Sequence, residues 1–472
     1  MALGTATVDP VQETLVRRGS KLGKPFHSRR ERRYIPGMTT RREFIRDASL
    51  IGAASLTLGD ALSGAAITTS SAQQRSPREL AGDEAFWAQI AGQYRTVPGV
   101  TNLEGGSFGQ MAVPVLEAFH RNADRANNGG SYFARREYGP IYVDVRNKIA
   151  AFIGAKATET MITRNASDAL QTIIGNYNKV NAGDTVMYAD LDFNAMQWAM
   201  NELASRRGAT VAQVDIPEPA SRDNVIAAYK TALDANPKTK LLLLTSCNNK
   251  TGLLLPVKDI VALARPRGVD VVVDAAHSFG QVPVTVTDFD AEFVGLNLHK
   301  WVGASAGIGV MYIRADKFGA IDPARGREAL PPEYIDARLH AGAMNMAAIM
   351  TVPDALAFQS SIGMANKAAR LRYLRDRWVT AVRSIKGVDV LTPDAAELAG
   401  AMSSFRIHGR GDAASNAAIT KALLDEFKIF TFARTGLAKG DCVRVTPTLC
   451  NSAADVDALS AAIAAIAART SA

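Results

Sequence analysis

The chain predicts an α/β fold: a large domain with a mostly parallel, seven-stranded sheet, then a smaller α+β domain. Three features carry this. Between 160 and 313, short β-branched runs alternate with stretches of helical length. Some of those runs, Val271-Val-Val273 among them, are apolar throughout, as strands covered on both faces are. Beyond Asp336 the alternation gives way to long helical patterns and a few short strands, and 472 residues exceed what one small core needs.

In order, residues 1–72 read as a leader, with 1–37 expected to be disordered and Met38 an alternative start. After Met38 comes Thr39-Thr-Arg-Arg-Glu-Phe-Ile-Arg46, a twin-arginine pair followed by an acidic, an aromatic and an aliphatic residue. The apolar stretch from Ala48 to Leu58 is short and rich in Gly and Ser, a poor membrane span. Ser70-Ser-Ala72 then offers small residues for cleavage near Ala72. This resembles a twin-arginine export signal and predicts a periplasmic protein; an amphipathic basic helix is the alternative. The leader holds 11 Lys and Arg against 6 Asp and Glu, leaving 43 against 40 for everything after it. The net charge of +8 therefore belongs mostly to the leader, and no nucleic-acid partner is expected. Apolar content of 47% and charged content of 21% are ordinary for a globular enzyme. Cys247, Cys442 and Cys450 make no disulfide framework; Cys442 and Cys450 could pair, or all could be buried thiols. No metal is expected.

Residues 73–335 are read as an N-terminal segment and the large domain. Asn102-Leu-Glu-Gly-Gly-Ser-Phe-Gly109 has the glycine density of backbone running close to a ligand or a neighbouring chain. Apolar spacing predicts a helix over 142–152, stopped by Gly154. At 160–174 a strand turns into a helix at Ala166 and Ser167, whose N–H groups would suit a phosphate; an N-cap explains Ser167 equally well. Further strands are predicted at 185–189, 210–214, 240–245, 269–273, 291–296 and 307–313. Residues 336–472 form the small domain, with helices at 350–361 and 365–385, strands near 403–408 and 443–446, and a final Ala-rich helix.

The chemistry gathers in Gly295-Leu-Asn-Leu-His-Lys-Trp-Val-Gly303. Lysines at strand ends are ordinarily solvated. Lys300, however, lies between an apolar strand and a glycine-rich turn, and Asp274 ends an all-apolar strand upstream. Ligands of open α/β sheets gather at the carboxyl ends of strands. A lysine amine forms a Schiff base with pyridoxal phosphate (PLP), and a carboxylate keeps the pyridine nitrogen protonated. Lys300 and Asp274 supply both.

These residues carry a family resemblance. From about 90 to 465 the chain resembles class V members of the fold-type I PLP enzymes, near the isopenicillin N epimerase and cysteine desulfurase-like branch. The resemblance implies that Ala166 and Ser167, in Thr163-Arg-Asn-Ala-Ser-Asp168, cup the phosphate, with Asn297 and His299 flanking it. It implies that Phe193 stacks on the pyridine, an ordinary core aromatic being the other reading. Asn249 and His277 would lie beside the phenolic oxygen. Arg444 is the residue implied to grip the substrate's α-carboxylate; Arg434 is second choice, a surface ion pair being its alternative. A homodimer is implied as well.

Two departures stand out. Desulfurases place a persulfide-forming cysteine shortly after the first arginine motif, where this chain reads Arg434-Thr-Gly-Leu-Ala-Lys-Gly440. In His340-Ala-Gly-Ala-Met-Asn345, Ala343 replaces a threonine that in relatives reaches the neighbouring subunit's phosphate. The expected activity is aminotransferase-like, on an amino acid or an amino-acyl group, with Lys300 removing the Cα proton. Epimerisation and Cα/β-lyase action are the alternatives, and desulfuration is disfavoured. Exported relatives that tailor peptide siderophores make an amino-acyl group of a larger molecule a candidate substrate. Outside enzymes, a catalytically silent binding protein of the same fold is possible. A nucleotide site at 302–309 is not, since those glycines precede a strand instead of joining strand to helix.

Overall fold

A computed structural model describes residues 75–326 and 330–469. The twin-arginine stretch, the apolar run after it and the cleavage site near Ala72 lie outside the described residues.

Ser76 opens helix α1 (Pro77–Ala81) with a capping box closed by Glu79, and Asp83 caps α2 (Glu84–Ala91). A two-residue strand, β1 (Thr101–Asn102), leads through the glycine-rich run to α3 (Val113–Arg136), which kinks at Gly130. Helix α4 (Tyr138–Ile153) stops at Gly154 as expected, in the left-handed conformation with φ 71°.

The α/β layer follows: β2 (Thr160–Thr163), α5 (Ala166–Asn176), β3 (Thr185–Ala189), α6 (Asn194–Arg207), β4 (Thr210–Val214), α7 (Arg222–Ala235), β5 (Thr239–Thr245), α8 (Val257–Ala264), β6 (Asp270–Asp274), α9 (Val286–Phe289), β7 (Phe293–Asn297) and β8 (Gly309–Ile313). The strands form one seven-stranded sheet in the order β2-β8-β7-β6-β5-β3-β4. β7, β6, β5, β3 and β4 run parallel, while β8 is antiparallel to both β7 and β2. Leu241 to Leu244 and Val271 to Val273 are fully buried, which is why they lack a polar alternation. β6 ends on Asp274 itself, one residue later than expected, because that residue still pairs with Thr245 on one side and Gly295 on the other.

The remainder comprises α10 (Met346–Met350), α11 (Val352–Ile362), α12 (Met364–Arg383), β9 (Val388–Val390), β10 (Ser403–Ile407), α13 (Ala413–Phe427), β11 (Ile429–Phe430), β12 (Phe432–Arg434), β13 (Cys442–Val445) and α14 (Ala453–Ala468). The helix expected at 350–361 is α11, beginning two residues later, and a short unexpected helix, α10, precedes it and meets it at Thr351. A proline in the first turn of α11 favours a fresh start there over continuation. β12-β13-β10-β9 is an antiparallel sheet packed on α12 and α14 around Trp378 and Phe405. The first described segment also joins this end of the chain: α1 packs on α12, and β1 pairs in parallel with β11.

Candidate active site

The row Thr245, Asp274, Gly295 marks the carboxyl edge of three parallel strands, and Lys300 lies just past the end of β7. The run from β1 crosses its backbone. Gly109 N–H donates to His299 O at 3.0 Å, and a Cβ on Gly109 would overlap the Lys300 carbonyl oxygen. The glycine density of 102–109 thus answers to a close approach, and what it approaches is the backbone of the lysine. Lys300 Nζ is 3.1 Å from His277 Nε2. Burial lowers the amine's pKa to about 8; Arg444 and Arg434 push the same way, against Asp274.

Asp274 is 4% exposed, and its Oδ1 accepts the Ala276 N–H at 2.9 Å. Burial raises its pKa, offset in part by that hydrogen bond and by Lys300. His277 is buried, and burial followed by the Lys300 charge holds its pKa well below the usual histidine value, so the ring is neutral. His277 Nδ1 and Asn249 Oδ1 are buried without a hydrogen-bond partner among the described residues. Such orphans are costly unless something completes them.

At the opposite end, α5 presents its N-terminus. Ala166 N–H is already taken by Asn297 Oδ1 at 2.8 Å, so its backbone donor serves the fold. His299 Nδ1 lies 3.2 Å from Ile308 O. The Ser167 hydroxyl, Asn297 Nδ2 and His299 Nε2 have no protein partner among the described residues. Three polar groups around a helix N-terminus suit an anion. Phe193, 38% exposed, immediately precedes α6. It is steadied by its neighbour Asp192, whose buried carboxylate accepts Ala189 N–H at 2.7 Å and Thr245 N–H at 3.0 Å. Burial pushes the Asp192 pKa up to about 7.

The two arginines meet an internal partner. Arg444, fully buried, directs Nη2 to Glu104 Oε1 and Oε2 at 2.5 and 2.7 Å and Nη1 to Asn249 O at 2.7 Å. Arg434 Nη2 reaches Glu104 Oε1 and Ser107 Oγ, both at 3.2 Å, and its guanidinium sits 4.7 Å from the Phe432 ring centroid. Arg444, expected to hold a substrate carboxylate, is thus engaged by the chain's own. Sequence reasoning passed over both Glu104 and Asp192. An acidic residue beside two glycines was the available signal for the first; nothing marked the second.

The family model for class-V aminotransferases matches residues 110–459. The chain belongs to the class-V aminotransferase family. Over 395 residues it is 26% identical to the isopenicillin N epimerase of Amycolatopsis lactamdurans, spanning 80% of this chain and 98% of that protein. The apo cysteine desulfurase of Thermococcus onnurineus NA1 shares the fold at a TM-score of 0.70, with 20% identity over 80% of this chain and 98% of that one. A C-DES mutant with glycine covalently linked to its PLP cofactor superimposes at a TM-score of 0.69, 20% identical over 79% of this chain and 98% of that one.

This family member is a PLP-dependent enzyme, and the site fits the cofactor. Lys300 would hold it covalently and Asp274 would face its ring nitrogen. The orphaned Asn249 and His277 atoms would meet its phenolic oxygen, and Ser167, Asn297 and His299 its phosphate. When bound, PLP supplies an aldehyde for an amine and a ring that accepts electrons from the adjacent carbon. The chain's own part is to bury Lys300, so that its amine is mostly neutral above about pH 8, and to hold the Asp274 carboxylate at the end of β6.

Proposed function

We propose that this enzyme is aminotransferase-like, acting on an amino acid or an amino-acyl group, with the Lys300 amine moving the proton at Cα. The observation that carries this reading is a single amine, its pKa lowered to about 8, facing the site with a neutral histidine beside it. An amine of that pKa is well matched to general-base work near neutrality. A two-base epimerisation needs a second proton carrier on the opposite face. The other ionisable groups felt at Lys300 are Asp274, Arg444, Arg434 and Cys247. Asp274 belongs to the ring nitrogen, the arginines are engaged by Glu104, and burial pushes the Cys247 thiol up to about 12.

Epimerisation is the second reading, favoured by the end-to-end likeness to an isopenicillin N epimerase; Cα/β-lyase action uses the same residues. Desulfuration fits poorly. Cys442 is fully buried, and burial raises its pKa to about 11, so it is no exposed nucleophile. Export by the twin-arginine route and assembly as a homodimer belong to the same proposal, supported by the leader's residues and the family resemblance. Incubating the purified holoenzyme with pools of amino acids and aminoacylated peptides tests the reaction. A keto product supports transamination, whereas an inverted isomer with no keto product replaces it with epimerisation.

A further inference from the structure

We infer that a cleft beside the Lys300–Trp301 backbone is a second binding site, separate from the cofactor's, for a small molecule carrying one carboxylate. The cleft encloses about 510 Å³, measured out to open solvent, and Lys300 and Trp301 border it. Asp274, His277, Asn249 and Ser167 do not line it. Lys367, near the start of α12, supplies its charge. That residue is 3% exposed, and its Nζ donates to Trp301 O and, at 2.7 Å, to Gln359 Oε1. An ammonium has three N–H groups, so one remains. Among the described residues no carboxylate pairs with it, and the one ionisable group it feels is Cys450. Burial lowers its pKa to about 7, so near pH 6.5 it is mostly charged. A buried cation without a counter-charge is costly, and an entering anion offsets that cost.

Two neutral donors belong to residues of the same cleft. Trp301 Nε1 is buried without a hydrogen-bond partner, and Asn102 Nδ2 has no protein partner among the described residues. The Asn102 amide is held in place through Oδ1, which accepts the Glu104 N–H at 2.9 Å. One full charge with neutral donors suits a monoanion better than a doubly charged phosphate, and a carboxylate's two oxygens accept from several N–H groups at once. Because Lys367 also holds Trp301 O, one residue from the reactive lysine, occupancy bears on the segment that carries that amine.

Cys450 is a built-in reporter. It lines the cleft half-buried, its Sγ lies 3.5 Å from Gln110 Oε1, and it is close enough to Lys367 for each to shift the other's pKa. Cys247 and Cys442 are buried. The test treats holoenzyme near pH 6.5 with iodoacetate or iodoacetamide and reads alkylation of Cys450 by peptide mass spectrometry. With either reagent the thiolate sulfur displaces iodide, a C–S bond forming as the C–I bond breaks, and the thiol proton passes to water. Relative to N-acetylcysteine in the same buffer, Cys450 should favour iodoacetate over iodoacetamide at least about tenfold. The iodoacetate rate should saturate, and acetate should slow it. Lys367→Met should abolish both the preference and the protection. A wild-type preference no greater than that of N-acetylcysteine overturns the inference, as does a Lys367→Met variant that keeps the wild-type preference. If the variant does not fold, the presence or absence of protection by acetate in the wild type decides alone.

Discussion

Gly109 and Lys300 meet backbone to backbone, leaving no room for even a methyl group between them. Gly109→Ala must displace either the 102–109 run or the lysine's peptide. Overpacking of this kind costs about 1–3 kcal/mol. We expect a loss of that size in denaturant unfolding, together with weaker cofactor retention on dialysis.

Lys300→Ala removes the covalent anchor and leaves the sheet untouched. The variant should melt within a few degrees of wild type yet lack the visible band of lysine-bound PLP. A band that survives the substitution places the anchor elsewhere.

Because burial sets the Lys300 pKa at about 8, the amine is mostly an ammonium below that pH and mostly neutral above it. Only the neutral form attacks an aldehyde. Stopped-flow mixing of apoenzyme with PLP should show a rate that climbs through about pH 8 and then levels.

Asp274→Asn preserves shape but loses the charge that would face the ring nitrogen of bound PLP. Turnover should fall at least about a hundredfold, the scale on which aligned electrostatic groups act. The cofactor should stay bound, since Lys300 is intact. Stability at neutral pH should not drop, because a buried carboxylate is removed.

Lys367 is 3% exposed, donating to Trp301 O and to Gln359 Oε1, and burial brings its pKa from 10.5 to about 7. Between those values the unfolded chain holds the extra proton, so stability rises with pH across that window. Lys367→Met should flatten the rise. The gain between pH 7 and pH 9, read by denaturant titration, should be about 1–3 kcal/mol larger in wild type.

Much of this was legible in the sequence because it is local. The apolar runs announced the buried strands, Gly154 the end of α4, and Asp274 with Lys300 two groups that the fold brings into electrostatic reach of each other. What stayed hidden is non-local. Nothing near Arg444 in the chain points to Glu104, since their meeting depends on β1 pairing with β11 and on Glu104 bridging to Thr446. Helix N-termini bind anions, so the sequence alone points to Ala166 as a phosphate donor. Only the fold reveals that Asn297, delivered by β7, takes its N–H first.

That same long-range pairing imposes an order on biosynthesis. The run that passes over Lys300 emerges from the ribosome early: its far end meets His299 and Lys300, but β1 and Glu104 find their partners only once residues 429–446 have been made. The strands of the central sheet are all made by residue 313, whereas this pairing waits for the last fifty residues. Any premature stop before β13 leaves β1 and Glu104 without the partners that fix the near end of that run.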